Sequence, residues 1–600
     1  MQVTRRRRRL AVTGMAVAAL GASALTIASA NQALAEEGCE VDYDVVNSWG
    51  GGFQANVSIT AGDPIDGWEI QWDFPSGASV SSAWNVNWSQ SGSTFTGSDM
   101  GWNGSIASGQ TSQVFGFIGS GSTDTPSQFS INGVVCDGQV DDPTDDPTSD
   151  DPTDDPTDDP TDDPTTDPPD PGDKVDNPYD GAQVYVNPQW ADQAASEPGG
   201  DAIANEPTGV WMDSTPTIHG EGDPGSTGGW GLQQHLDEAV DQGADLIQVV
   251  IYNLPGRDCA ALASNGQYAP DQIDEYKNDY IDEIVAIMDD PAYADLRIVN
   301  VIEIDSLPNL VTNVSPRDTS TSTCDTMLDN GHYQEGIAYA VSELGALSNT
   351  YNYIDAGHHG WIGWEDSNEE YDNFNASAEM IASIMGMEGA TADDVHGFIT
   401  NTANYSALDE PYWDVDDVVG GQALNQNPDL PWVDWNDFNN ETDFALAFRD
   451  ELIANGYNSD VGMLIDTSRN GWGGDYRPTG TSSSDDPVTY VDESRIDQRI
   501  QKGNWCNQAG AGLGERPQAS PEANIDAYVW IKPPGESDGA SEEIDNDQGK
   551  GFDEMCDPDY GGNERNGNNP SGARDNMPLS GHWSSEQFQE LLDNAYPPLN

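Results

Sequence analysis

The sequence predicts two folded regions of different class: an α/β region over 177–600, built as a β/α barrel or a related sheet, and a separate all-β sandwich over 36–138. Three observations predict them. The larger region alternates short apolar runs with segments of helical spacing such as PDQIDEYKNDYIDEIVAIMDD, GHYQEGIAYAVSELGALS and FNNETDFALAFRDELIANG. That rhythm, sustained over about 420 residues, makes a mainly parallel sheet covered by helices. The smaller region lacks helical periodicity; FQANVSI, WEIQWDF, SQVFGFI and SQFSING alternate apolar and polar residues between Gly, Ser and Asp turns. Between the two lies a low-complexity run of DDPT repeats.

In chain order, residues 1–35 read as an export signal. Arginines occupy positions 5–9, residues 10–30 are apolar and small, and Ala33-Leu34-Ala35 fits a cleavage site. A membrane anchor is the alternative, and the Ala- and Gly-rich core ending in small residues argues against it. The mature chain is therefore expected outside the cell, where six cysteines read as disulfides. Six cysteines allow fifteen connectivities; pairing Cys39 with Cys136, Cys259 with Cys324 and Cys506 with Cys556 keeps each bridge local. No C-x-x-C pair occurs, and no metal is expected.

Asp and Glu number 105 against 21 Lys and Arg, a formal net charge of −84. Such a polyanion gains nothing from displacing phosphate counterions, which excludes nucleic acid as a partner, and anionic membrane surfaces repel it. Fifteen aspartates fall in 140–175, so most of the acidity belongs to the folded regions. This suggests adaptation to high salt.

Within 36–138, six tryptophans (49, 68, 72, 84, 88 and 102) are too many for so small a core. Trp49, Trp84 and Trp102 sit beside Gly, Ser or Asn, in SWGGG, SAWN and GWNGS, whereas Trp68 and Trp72 lie within one strand. A row of exposed indoles suits the apolar faces of sugar rings. From Cys39 through DGW, FPSG and WNGSI to Cys136, the region resembles a family 2 carbohydrate-binding module. The resemblance implies that Trp49, Trp84 and Trp102 contact cellulose, with Asn56 as a polar helper. Residues 139–176 follow as a spacer, kept extended by frequent proline and mutually repelling aspartates.

In the larger region, apolar runs repeatedly break into polar residues. RIVNVIEIDSLPN (297–309) is the clearest, with Asp305 at the carboxyl end of a strand buried on both faces. Asp258, Asp355, Asp466, Glu536 and Asp538 fall at or just beyond similar ends, which together make an acidic mouth at the edge where α/β folds place their chemistry. Tryptophans and tyrosines cluster in the same segments. Carboxylates beside aromatic sugar platforms suit glycoside hydrolysis, in which one acid protonates the leaving oxygen and another supports attack on the anomeric carbon. GESDG (535–539) matches the G-x-S-x-G serine pattern, but an esterase elbow runs directly into a helix and needs further sheet beyond it. Here GASEEIDNDQGKG follows, so the match is read as chance.

Two stretches make a resemblance specific. VIYNLPGRDCAALASNG (250–266) and VIEIDSLPN (301–309) are similar to the two signatures of glycoside hydrolase family 6, with Ile304 where that family commonly has Pro. The resemblance spans essentially all of 177–600. It implies a distorted parallel β/α barrel, inverting hydrolysis of the β-1,4 bonds of cellulose without a cofactor, and the same three local disulfides. It further implies that Asp305 is the general acid, that Asp258 keeps it protonated, and that Asp538 is the candidate base, with a chain through Ser264 and Asp258 as the alternative route for the water's proton. Tyr252 would crowd the distorted sugar, and Lys532 and Glu536 would hydrogen-bond it. Trp211, His358, Trp361, Trp364 and Trp505 would contact successive sugars, while Arg257 and Asp355 orient the acid pair.

Segments 311–329 and 471–524 are candidate roofs over the cleft. A roofed cleft predicts a monomeric cellobiohydrolase releasing cellobiose from non-reducing ends. An open cleft would make it an endoglucanase, and a vestigial site would leave a cellulose-binding protein.

Overall fold

The structure is a computed structural model. It describes residues 39–136, except 50–51, 62–64, 75–77, 92–93, 101–102, 107–110, 121–125, 127–128 and 133, and residues 174–599, except 222–228, 366–371, 428–429 and 547. The export segment and the spacer up to 173 lie outside the described residues. The chain divides into two compact units, 1–162 and 163–600.

The first unit is a sandwich of two antiparallel sheets. One orders the strands Cys39–Trp49, Gly52–Ala61, Thr111–Ser120 and Ser79–Trp84. The other orders Val134–Cys136, Phe129–Ile131, Glu69–Asp73, Thr94–Ser98 and Asn87–Ser91. Period-two alternation does the packing: Phe53, Ala55, Val57 and Ile59 all point into the core, while Asn56 and Ser58 between them are only half-buried. Trp72 stacks on Phe95 at 4.2 Å, and Trp68 is buried with its indole nitrogen donating to Asn103 O (2.7 Å). The Cys39–Cys136 bridge ties the first strand to the last. Asn56 is half-buried, one step out of phase with the inward row. Trp49 and Trp84 lie on strands, but their side chains are outside the described residues, as is all of Trp102.

The second unit is organised by an eight-stranded sheet: β1 Val210–Met212, β2 Leu246–Ile251, β3 Arg297–Ile302, β4 Thr350–Asp355, β5 Gly397–Thr400, β6 Gly462–Asp466, β7 Gln518–Glu522 and β8 Ile525–Val529. Spatial order is β1-β2-β3-β4-β5-β6-β8-β7, parallel throughout except that β7 runs antiparallel to β8 at the edge. Helices such as Leu232–Gln242, His332–Gly345 and Glu441–Ala454 carry the chain back between strands. The last starts cleanly because the Asn440 side chain accepts from Asp443 N (2.9 Å).

Both faces of the sheet are apolar. Along β2, Ile247, Val249 and Ile251 pack outward among the helices, while Leu246 and Val250 join Val299, Val301, Tyr353, Leu464 and Val529 inside the curl. The curl does not close into a complete barrel. β1 and the end of β8 approach through a single backbone bond, Gly209 N to Trp530 O (3.0 Å). Glycine is required there, since a Cβ would lie 2.6 Å from Ile531 O. The result is the distorted barrel expected from the sequence. Among the described residues no helix is long and apolar enough to cross a membrane.

Candidate active site

Carboxylates collect at the carboxyl ends of the strands. Asp258 follows β2, Glu303 and Asp305 follow β3, Asp355 and Asp466 end β4 and β6, and Asp538 lies beyond β8. The backbone is forced there: Asp258, Glu303 and Asp305 have φ of +51°, +48° and +54°. Non-glycine residues in this region cost about 1–3 kcal/mol each and persist only where their surroundings hold them. For Glu303 the restraint is plain. Its buried carboxylate accepts from Asn253 N (3.1 Å), Leu254 N (3.2 Å) and the Tyr276 hydroxyl (2.8 Å), pinning the loop after β2 to the end of β3. Burial raises Glu303 to about 7.

Asp305 and Asp258 face one cavity of about 1080 Å³ together with Ser264, Asp538 and Lys532. Burial raises Asp305 well above the usual carboxylate range, and the charges of Asp258, Asp355 and Asp538 push it the same way. Burial raises Asp258 too, but the Arg257 charge and hydrogen bonds from Ser264 and Tyr252 oppose it; the Tyr252 hydroxyl donates to Asp258 Oδ2 at 2.5 Å. The pair therefore holds its proton on Asp305 and its charge on Asp258. Asp355 accepts from Asp305 N (3.1 Å) and Gly357 N (3.3 Å), and so fixes the backbone that carries Asp305. Arg257 lies 4.0 Å over the Tyr252 ring and donates to the carbonyls of Asp213 (2.8 Å), Tyr252, Ser264 (2.9 Å) and Asn265 (3.1 Å). Its contact with the acid pair is through charge and through the loop it stitches.

Asp538 is held differently. Arg469 Nη1 lies 2.8 and 2.9 Å from its two oxygens, and Oδ2 also accepts from the Tyr405 hydroxyl (2.7 Å) and Asn507 N (2.8 Å). Lys532 Nζ stands 3.7 Å from Oδ1 and donates to Ser537 O (3.1 Å). Burial lowers Lys532, an effect that Asp538 opposes. Aromatic rings line the same cavity: Trp211, edge-on to Tyr252 at 5.5 Å, then Trp361, Trp364, Trp435 and Trp505. The Trp361 and Trp364 indole nitrogens donate to Thr312 Oγ1 (2.8 Å) and Asp434 O (2.7 Å). His358 also lines the cavity and is kept neutral by burial, which lowers it to about 3; Asn404 lies 3.0 Å from its Nε2.

A protonated carboxyl group, a second acid coupled to it and a row of indoles can cleave a glycosidic bond. Residues 175–595 match the family described as glycosyl hydrolases family 6. The chain belongs to that family. Residues 39–136 match the cellulose binding domain family. Exoglucanase A of Cellulomonas fimi is 44% identical over 449 residues, covering 71% of this chain and 49% of its own, so the chain spans about half of that relative. Exoglucanase 3 of Agaricus bisporus is 32% identical over 436 residues, 70% of this chain and 80% of its own. Among solved structures, the catalytic domain of Cellulomonas fimi Cel6B superposes with a TM-score of 0.66 at 42% identity, covering 71% of this chain and 97% of that one.

Several features of this family 6 site escaped the sequence reading. Arg469, Tyr405 and Asn507 are recognisable only by their grip on Asp538. Glu536 is buried and does not line the cavity. Ser537 is fully buried, its hydroxyl 2.8 Å from Pro578 O, and the His582 ring meets Gln548 instead. Both expected roof segments contribute, 311–329 through Thr312, Asn313, Arg317 and Thr319, and 471–524 through Gln501, Gly503 and Trp505. A third segment, 548–567, was not anticipated. Its Arg565 donates to Ala260 O (3.0 Å) and Thr319 O (3.2 and 3.3 Å), and its Lys550 pairs with Asp213 (2.9 Å). Leu262 N donates to Asp553 Oδ2 (2.8 Å). The Cys259–Cys324 and Cys506–Cys556 bridges anchor these roof segments, as expected.

Proposed function

We propose that the protein is a secreted, monomeric cellobiohydrolase that inverts configuration and releases cellobiose from the non-reducing ends of cellulose. The observation that carries the exo reading is the Arg565 clasp, which joins three loops over the cavity and favours threading of a chain end over lateral entry. The relatives named exoglucanase support the same activity. Asp305, the carboxyl that keeps its proton, donates it to the leaving glycosidic oxygen. Water attacks the anomeric carbon from the opposite face of the sugar, and its proton passes through Ser264 to Asp258, the partner supplied with hydrogen-bond donors. Asp538 acts mainly as a fixed negative charge, because Arg469, Tyr405 and Asn507 already occupy its Oδ2 and Oδ1 lies between Arg469 and Lys532. Tyr252 and Lys532 shape the sugar at the cleavage point, and Trp211, His358, Trp361, Trp364 and Trp505 carry the flanking sugars. Residues 36–138 form the cellulose-gripping module, through Trp49, Trp84 and Trp102 with Asn56, and 139–176 the spacer to the catalytic domain at 177–600.

The deciding test compares the intact protein with Asp305→Ala on crystalline cellulose. Cellobiose released first as the α-anomer, with hydrolysis reduced at least about a thousandfold in a variant that still binds cellulose, supports the reading. A β-anomeric first product, or an active Asp305→Ala, overturns it.

A further inference from the structure

Among the described residues, Trp435 is the one large aromatic ring of the cavity left mainly to solvent, 51% exposed. A single exposed apolar side chain is ordinary, but this ring lines the same cavity as Trp361, Trp364 and Trp505, and apolar surface gathered in one groove marks a binding site. Its backbone is equally unusual. Asp434 and Trp435 are consecutive non-glycine residues with φ of +50° and +65°. The turn that holds them is fixed on three sides: Lys502 Nζ donates to Val433 O (2.7 Å), the Trp364 indole donates to Asp434 O (2.7 Å), and Asn436 Nδ2 donates to His359 O (2.8 Å). Strain held this firmly, at a side chain with no core to fill, points to a displayed ring. The same turn carries Trp364 by its indole hydrogen bond, so the two rings belong to one rigid unit.

We propose that Trp435 is an outer sugar platform, a further subsite beyond Trp364 that stacks the apolar face of a distal β-1,4-linked glucosyl unit. This rests on the cellulase reading above. It assigns the turn at 433–437 a second task besides shaping the cavity wall, that of holding the part of the glucan farthest from Asp305.

The test uses Trp435→Ala and Trp435→Phe in the full chain, with steady-state kinetics on cellotetraose and on celloheptaose. For Trp435→Ala, KM on celloheptaose is expected to rise about three- to tenfold more than KM on cellotetraose, the size an aromatic contact of this type carries. kcat on either substrate should change little, and Trp435→Phe should recover most of the loss. Equal changes on both substrates, or none on either, overturn the proposal, the first by making Trp435 a structural residue of the wall. A wild-type protein inactive on every β-1,4-glucan overturns the cellulase reading itself, which separates the two failures.

Discussion

Asp305 and Asp258 are chemically the same group in nearly the same place, and what separates them is the supply of donors. Tyr252, Ser264 and Arg257 stabilise charge on Asp258, whereas the neighbours of Asp305 are carboxylates. Removing the charge of Asp258 should therefore let Asp305 ionise more easily, so Asp258→Asn should move the alkaline limb of the pH–rate profile to lower pH, beyond any loss of rate. A profile displaced upward would contradict the assigned direction. Arg469 offers a second test. Arg469→Met removes the closer of the two cations at the buried Asp538 carboxylate, leaving Lys532 at 3.7 Å, and should cost about 3 kcal/mol in denaturant unfolding. Arg469→Lys should keep much of the stability but lose the two-oxygen contact and with it catalytic rate. The sequence exposed Asp305 because a strand buried on both faces has to end in polar residues, and Glu303 and Asp305 are the first two carboxylates after it. It could not expose the grip on Asp538, since Arg469, Tyr405 and Asn507 lie 69, 133 and 31 residues away and meet only once three strand ends are assembled.

Among elements, the roof is where function and stability meet. Arg565→Ala removes the hydrogen bonds that join 565 to the loops at 260 and 319. Viscosity of carboxymethylcellulose should then fall faster per bond cleaved than with the wild type, and an unchanged ratio would detach Arg565 from exo action. Replacing Cys506 and Cys556 together by serine should cost about 2–4 kcal/mol by freeing a long loop in the unfolded chain. Elsewhere, the buried Glu410 accepts from Ile496 N (2.6 Å) and Asp497 N (2.9 Å), joining two long loops, and burial raises it to about 8. Glu303, at about 7, behaves alike. Both keep protons in the folded chain that the unfolded chain, near 4.5, gives up. Their stabilising contribution is full below about pH 4.5 and is lost as pH rises through 7 and 8. Thermal midpoints should fall between pH 5 and pH 8.5, and Glu410→Gln, which cannot titrate, should make that decline shallower. Strands and long helices were legible from periodicity. The third roof segment was not, because its end, DYGGNERNG, carries no period, and its significance lies entirely in what it touches.

At the scale of the whole molecule, the net charge of −84 sets the response to salt. Raising ionic strength from about 0.1 M to about 1 M shortens the screening length from about 10 Å to about 3 Å and weakens repulsion among surface carboxylates. The thermal midpoint and the activity should both rise; a fall in both would remove the case for adaptation to salt. The few cations are not spread over the surface to balance this charge. No lysine or arginine occurs between positions 10 and 173, and of the sixteen beyond, Arg565 is the one exposed residue, the others being buried or half-buried, several in the active site. A protease that cuts after basic residues thus finds nothing to cleave in the module and, in the spacer, only the half-buried Lys174 close to its end. On the folded catalytic domain its most open target is the bond after Arg565. Trypsin would act on the native enzyme as a selective blade, severing the last 35 residues at the clasp, and a threaded glucan should slow the cut.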